Sequence, residues 1–132
     1  MINKSLKYIF AVFIALSLMS FDIPKGWYAT FSNPGMYDIG VDYSEDYNGK
    51  KTATVKSGNN DIYGVYGGML QSCLAAKFLG KRVTLSVALK TEHVKEWAGF
   101  IIKVVNDNKN EVLSMDDMQD RPITGSSEWK MY

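Results

Sequence analysis

The stretch Trp97-Ala-Gly-Phe-Ile-Ile-Lys-Val-Val-Asn-Asp-Asn-Lys-Asn-Glu-Val-Leu-Ser-Met115 decides the fold class. Side chains alternate between the two faces of an extended chain, so Ala98, Phe100, Ile102 and Val104 form one apolar set and Trp97, Gly99, Ile101 and Lys103 the opposite one. Asn106-Asp-Asn-Lys-Asn110 is then a run of turn formers, and Glu111 to Met115 returns. The spacing predicts a β-hairpin.

Working outward, the same grammar recurs. Val83, Leu85, Val87 and Leu89 alternate with Thr84, Ser86, Ala88 and Lys90, giving the cleanest strand pattern in the chain. Trp27 to Phe31, Tyr37 to Tyr43, Thr52 to Ser57, Tyr63 to Ser72 and Glu128 to Tyr132 read as further strands. Between them stand Ser32-Asn33-Pro34-Gly35, Asn48-Gly49 and the Ser57 to Asp61 cluster, all turn chemistry. Lys77 to Lys81 reads as a connector, and Thr91 to Glu96 as a helical turn carrying the lone His93. About eight short strands at this spacing predict an all-β chain, a β-sandwich or jelly roll. Outside the first twenty residues no window sustains a 3.6-residue period, and no helix-turn-helix is visible.

The first twenty residues read as an address. Lys4 and Lys7 precede an apolar run from Tyr8 to Met19, with Ser17 and Ser20 small enough to precede cleavage. The run falls short of the roughly 20 apolar residues of a membrane span. The expectation is a signal peptide over 1–20, a single domain over 21–132, no membrane span after cleavage, and a secreted, periplasmic or cell-surface location. Without residues 1–20 the chain keeps 13 Lys and Arg against 14 Asp and Glu, scattered singly. Phosphate binding needs a basic face, so no nucleic-acid partner is expected.

Cys73 is the only cysteine and cannot form an internal disulfide; it reads as a small buried side chain. No zinc spacing exists, and no cofactor is expected, with a structural calcium the one metal worth weighing. Asp116 and Asp117 are adjacent in an extended segment and point to opposite faces, so they do not form a pair of catalytic carboxyls. His93 has no nucleophile motif beside it. The chain reads as noncatalytic.

Gly80-Lys-Arg-Val83, Leu89-Lys-Thr91, Trp97-Ala-Gly99 and Met118-Gln-Asp-Arg-Pro-Ile123 with Trp129-Lys130 together resemble a family of galactose-binding-like jelly-roll domains, related in architecture to carbohydrate-binding modules. Asn33-Pro34, Tyr37-Asp-Ile-Gly40 with Asp42, and Leu70-Gln71 fit the same pattern over residues 27–132. Two departures stand out: Ile101 replaces a second outward aromatic, and the family's further strands after Trp129 are missing, so the resemblance implies a domain incomplete at its C-terminus. Labels of transcriptional regulation on some relatives are set aside, because the sequence shows a signal peptide and no helix-turn-helix.

The resemblance implies a secreted ligand-binding module, carbohydrate recognition first. Trp97 offers a flat face for a sugar ring, and Gln71, Lys103, Gln119 and Arg121 offer groups that fix hydroxyls. The plainer reading pairs Arg121 with Asp116, Asp117 or Asp120 to hold its loop. The alternative function is a structural or protein-interaction accessory domain of a larger exported protein, with a partner domain or protein and no small ligand.

Overall fold

A computed structural model describes residues 22–58 and 62–132. The expected signal peptide lies outside the described residues. The all-β class read from the sequence is what the chain adopts. Among the described residues eight strands run β1 (Tyr28–Phe31), β2 (Tyr37–Tyr47), β3 (Lys50–Ser57), β4 (Gly67–Leu70), β5 (Ala88–Ala98), β6 (Ile102–Asn106), β7 (Glu111–Asp116) and β8 (Ile123–Met131). A 3-10 turn, Ala75–Phe78, separates β4 from β5. No helix among the described residues is long and apolar enough to cross a membrane.

The chain divides into two compact units, Met1–Ser72 and Cys73–Tyr132. In the first, β1 pairs antiparallel with β4 and β2 with β3. The β2–β3 turn follows directly from Asn48-Gly49, whose φ values of 53° and 72° are both positive, as a two-residue hairpin loop demands. Among the described residues of this unit, Ile39 is the buried apolar side chain. Gly67 is a glycine for a steric reason: a Cβ there would stand 2.3 Å from Cγ of Tyr37. The Tyr37 hydroxyl donates to the Val65 carbonyl at 3.0 Å and holds the ring in place. Asp42 interrupts the β2–β3 register by accepting from the Ser44 hydroxyl, the Ser44 amide and the Glu45 amide. Those donors, the Ser44 hydroxyl first, hold its carboxyl below the usual range.

In the second unit β5 pairs antiparallel with β8, and β6 with β7. The expected hairpin across Asn106 to Asn110 is present, with Asn110 at φ 49° closing the turn. Met118 and Ile123 are the buried hydrophobic residues here.

Several local expectations are corrected. Thr91 to Glu96 is strand, not helical turn: His93 takes φ 51°, and its amide donates to the Ser126 hydroxyl at 2.9 Å. Polar residues that suggested a turn thus make an irregularity in the β5–β8 ladder, and the Thr91 and Ser127 hydroxyls bond across it at 3.0 Å. The strand expected from Tyr63 to Ser72 is confined to Gly67–Leu70, because the glycines that precede and open it favour bends over pairing. Among the described residues Val83 to Ser86 lie outside any ladder, while Val87 exchanges both backbone bonds with Tyr132 just before β5 begins at Ala88. Cys73 is exposed rather than buried, since it lies in the connector after β4 and not on a strand face.

Candidate functional site

The second unit carries a shallow depression of about 470 Å³ lined by Trp97, Ile101, Met115, Asp117 and Gln119. Its construction follows from the hairpin. Lys103 stands opposite Met115 and Ile102 opposite Asp116, so alternation puts Ile101, Lys103, Met115 and Asp117 on one face of the ribbon. Trp97, at the end of β5, adds its indole to the lining, and the indole lies over Gly99. A Cβ at Gly99 would sit 2.8 Å from Cζ2 of Trp97 and 3.3 Å from Cβ of Met118, so only glycine leaves room for this arrangement. Trp97 remains 42% exposed.

The loop that closes the depression is held by its own charges. Arg121 donates from Nη2 to Asp116 Oδ2 at 2.6 Å and from Nη1 to Asp120 Oδ1 at 2.7 Å. The Asp116 carboxyl also accepts from the Met118 amide, and the Asp117 carboxyl from the Gln119 amide, each at 3.2 Å. These short returns let Met118 adopt φ 56° and tuck its side chain inward, where its sulfur accepts from the Phe100 amide at 3.4 Å. Asp116 and Asp117 diverge as alternation requires: one grips Arg121, the other lines the depression.

The sequence-based candidates separate accordingly. Trp97 and Gln119 meet in the depression. Lys103 shares its face without lining it. Arg121 is engaged by two carboxylates of its own loop, the plainer of the two readings. Gln71 belongs to the first unit, where its side chain lies near Gly26. Ile101, Met115 and Asp117 were not nominated; the hairpin register about Asn106 to Asn110 was the signal that could have found them. Chemically the depression offers an indole face and two aliphatic side chains beside one carboxylate and one amide. Among the described residues no three His, Cys, Asp or Glu side chains come together in a way that could hold a metal.

The Asp116 to Arg121 clamp sets a pH expectation. The Arg121 hydrogen bond, followed by the Met118 amide, holds the Asp116 carboxyl below its usual value, and the same contact raises Arg121. A carboxyl depressed in the folded state favours folding above its unfolded pKa, about 3.9, and loses that contribution as pH falls through the lower folded value. The clamp should therefore persist through mildly acidic pH and open only in stronger acid. Carboxyl carbon shifts of Asp116 followed by NMR should titrate at lower pH in the parent than in Arg121→Ala; equal midpoints would show that the ion pair does not form in solution.

No family model matches the chain, and no solved structure does. Over 108 residues, 82% of its length, the chain is 34% identical to an uncharacterized HTH-type transcriptional regulator, YbfP, of Bacillus subtilis (strain 168). It spans 36% of that relative's length. This likeness overturns the expectation of a secreted or cell-surface carbohydrate-recognising module without a nucleic-acid partner, and with it the alternative of an accessory domain of an exported protein. Transcriptional regulation acts on DNA within the cell, so a relative of that description at this identity is at odds with both the address and the ligand.

Proposed function

We propose that this chain serves transcriptional regulation, as a β-rich module that works alongside a DNA-reading segment rather than reading bases itself. The observation that carries the proposal is the 34% identity to a protein described as an HTH-type transcriptional regulator. Two properties support the division of labour. The described residues form strands and one 3-10 turn, with no helix to enter a major groove. The charges nearly cancel, with 15 Lys and Arg against 14 Asp and Glu, whereas phosphate-driven binding draws on a basic face. A galactose-binding-like architecture is kept as a proposal about fold alone, supported by eight strands in antiparallel pairs.

The test has two arms. Chromatin recovered from living cells with the tagged full chain should be enriched at discrete promoter sites. The purified chain, mixed with the same DNA fragments, should show only weak, salt-sensitive binding, with a Kd of about 1 μM or weaker at physiological salt. Absence of enrichment overturns the regulatory role. Tight, sequence-selective binding by the purified chain overturns the division of labour.

A further inference from the structure

The depression beside the Asp116 to Arg121 loop holds a carboxylate that nothing in the fold uses. Asp117 is half-buried, and its carboxyl accepts from the Gln119 amide at 3.2 Å. Among the described residues no Lys, Arg or His forms an ion pair with it. Arg121, the one cation of its loop, is held by Asp116 and Asp120 instead. The loop thus sets three carboxylates against one guanidinium, and counting Lys103 on the neighbouring face leaves the surroundings net negative. The Trp97 indole lines the same depression and is 42% exposed. A partly desolvated carboxylate without a counterion and an open indole face both attract positive charge.

We propose that the depression binds a small free compound that carries a guanidinium on a short aliphatic stem. The planar cation stacks on the Trp97 indole, its edge donates to the Asp117 carboxylate and the Gln119 side-chain carbonyl, and Ile101 and Met115 flank the stem. The lining chooses among cations. A quaternary ammonium has no N–H for the two acceptors and is best held by several aromatic faces, whereas Trp97 is the one aromatic residue here. A primary ammonium can donate but has no flat face to lay on an indole. An anion meets net negative surroundings, and a neutral polyol leaves the Asp117 charge uncompensated. A volume of about 470 Å³ lies in the range of small-ligand sites. The inference does not depend on the regulatory reading.

Titration of the full chain with butylguanidinium, followed by the NMR signal of the Trp97 indole N–H, tests it. The signal should shift with a Kd of about 1 mM, as suits a small ligand on a shallow site. Butylammonium and butyltrimethylammonium should bind more weakly, and butylurea, planar and neutral, more weakly still. Asp117→Asn keeps a side-chain carbonyl for the Gln119 amide but removes the charge, and should weaken butylguanidinium about tenfold. Lys103→Met removes a like charge from the neighbouring face and should tighten it about threefold. No shift of the Trp97 signal overturns the proposal, as does an Asp117→Asn variant that binds as tightly as the parent. Butylurea or butyltrimethylammonium binding as tightly as butylguanidinium overturns the choice of a guanidinium. Tighter binding of a capped Gly-Arg-Gly peptide overturns a free compound as the occupant. If Asp117→Asn perturbs the amide spectrum of the fold, Lys103→Met decides, and an affinity no higher than the parent's overturns the proposal.

Discussion

Gly67→Ala is expected to destabilise the first unit by about 1–3 kcal/mol, the usual penalty for forcing extra volume into a packed contact. The new methyl would stand 2.3, 2.6 and 2.8 Å from Cγ, Cδ1 and Cβ of Tyr37, and a contact to Cβ cannot be relieved by turning the ring. Moving the whole side chain would break the hydroxyl's bond to Val65 and shift Tyr37 in its pair with Ser57. Urea melts followed by circular dichroism should show the loss, and combining the change with Tyr37→Ala should recover part of it, since two residues in contact are not additive. Gly68→Ala is the control: its Cβ would meet only a Thr30 methyl at an ordinary 3.6 Å. Equal melts for the two variants would mean that Tyr37 does not pack over Gly67.

Ile123→Ala should cost about 2–4 kcal/mol, in the range for deleting most of a buried aliphatic side chain. Ile123 is 5% exposed and opens β8 opposite Ala98, and Met118 is the other buried hydrophobic residue of its unit. With so little apolar surface removed from water, the second unit has no reserve from which to absorb the cavity. Hydrogen exchange should show the β5 and β8 amides losing protection together. Leu113→Ala in β7, at a position 59% exposed, should stay within about half a kcal/mol of the parent. Comparable losses in both would place the core elsewhere.

These expectations rest on residues whose roles were unequally visible in the sequence. The Asn106 to Asn110 hairpin could be read directly, because alternation and turn formers act over a handful of neighbouring residues. The same period led to Trp97 as an outward aromatic, and the structure keeps it exposed beside Gln119. Period alone could not show that Gln71 lies in a different compact unit, or that Asp116 and Asp120 already hold Arg121. Nor could it show that Val83 to Ser86, the best strand pattern, has no ladder partner among the described residues: alternation describes a face, while pairing needs a second strand at the right edge. The Thr91 to Glu96 misreading has a similar origin. A polar cluster with a positive φ looks like a turn until a facing Ser126 accepts its amide.

Taken by itself, then, the sequence determined that the chain is built of strands and where most of them turn. Those properties follow from local sterics and the two-residue period of side chains, which need no distant partner. Tertiary structure alone decided that β1 pairs with β4 and β5 with β8, that Gly67 makes room for Tyr37, and that Met115 and Asp117 share a depression with Trp97. Each of these depends on contact between segments far apart in the chain, and contact energy is set by the shape and charge of both partners at once.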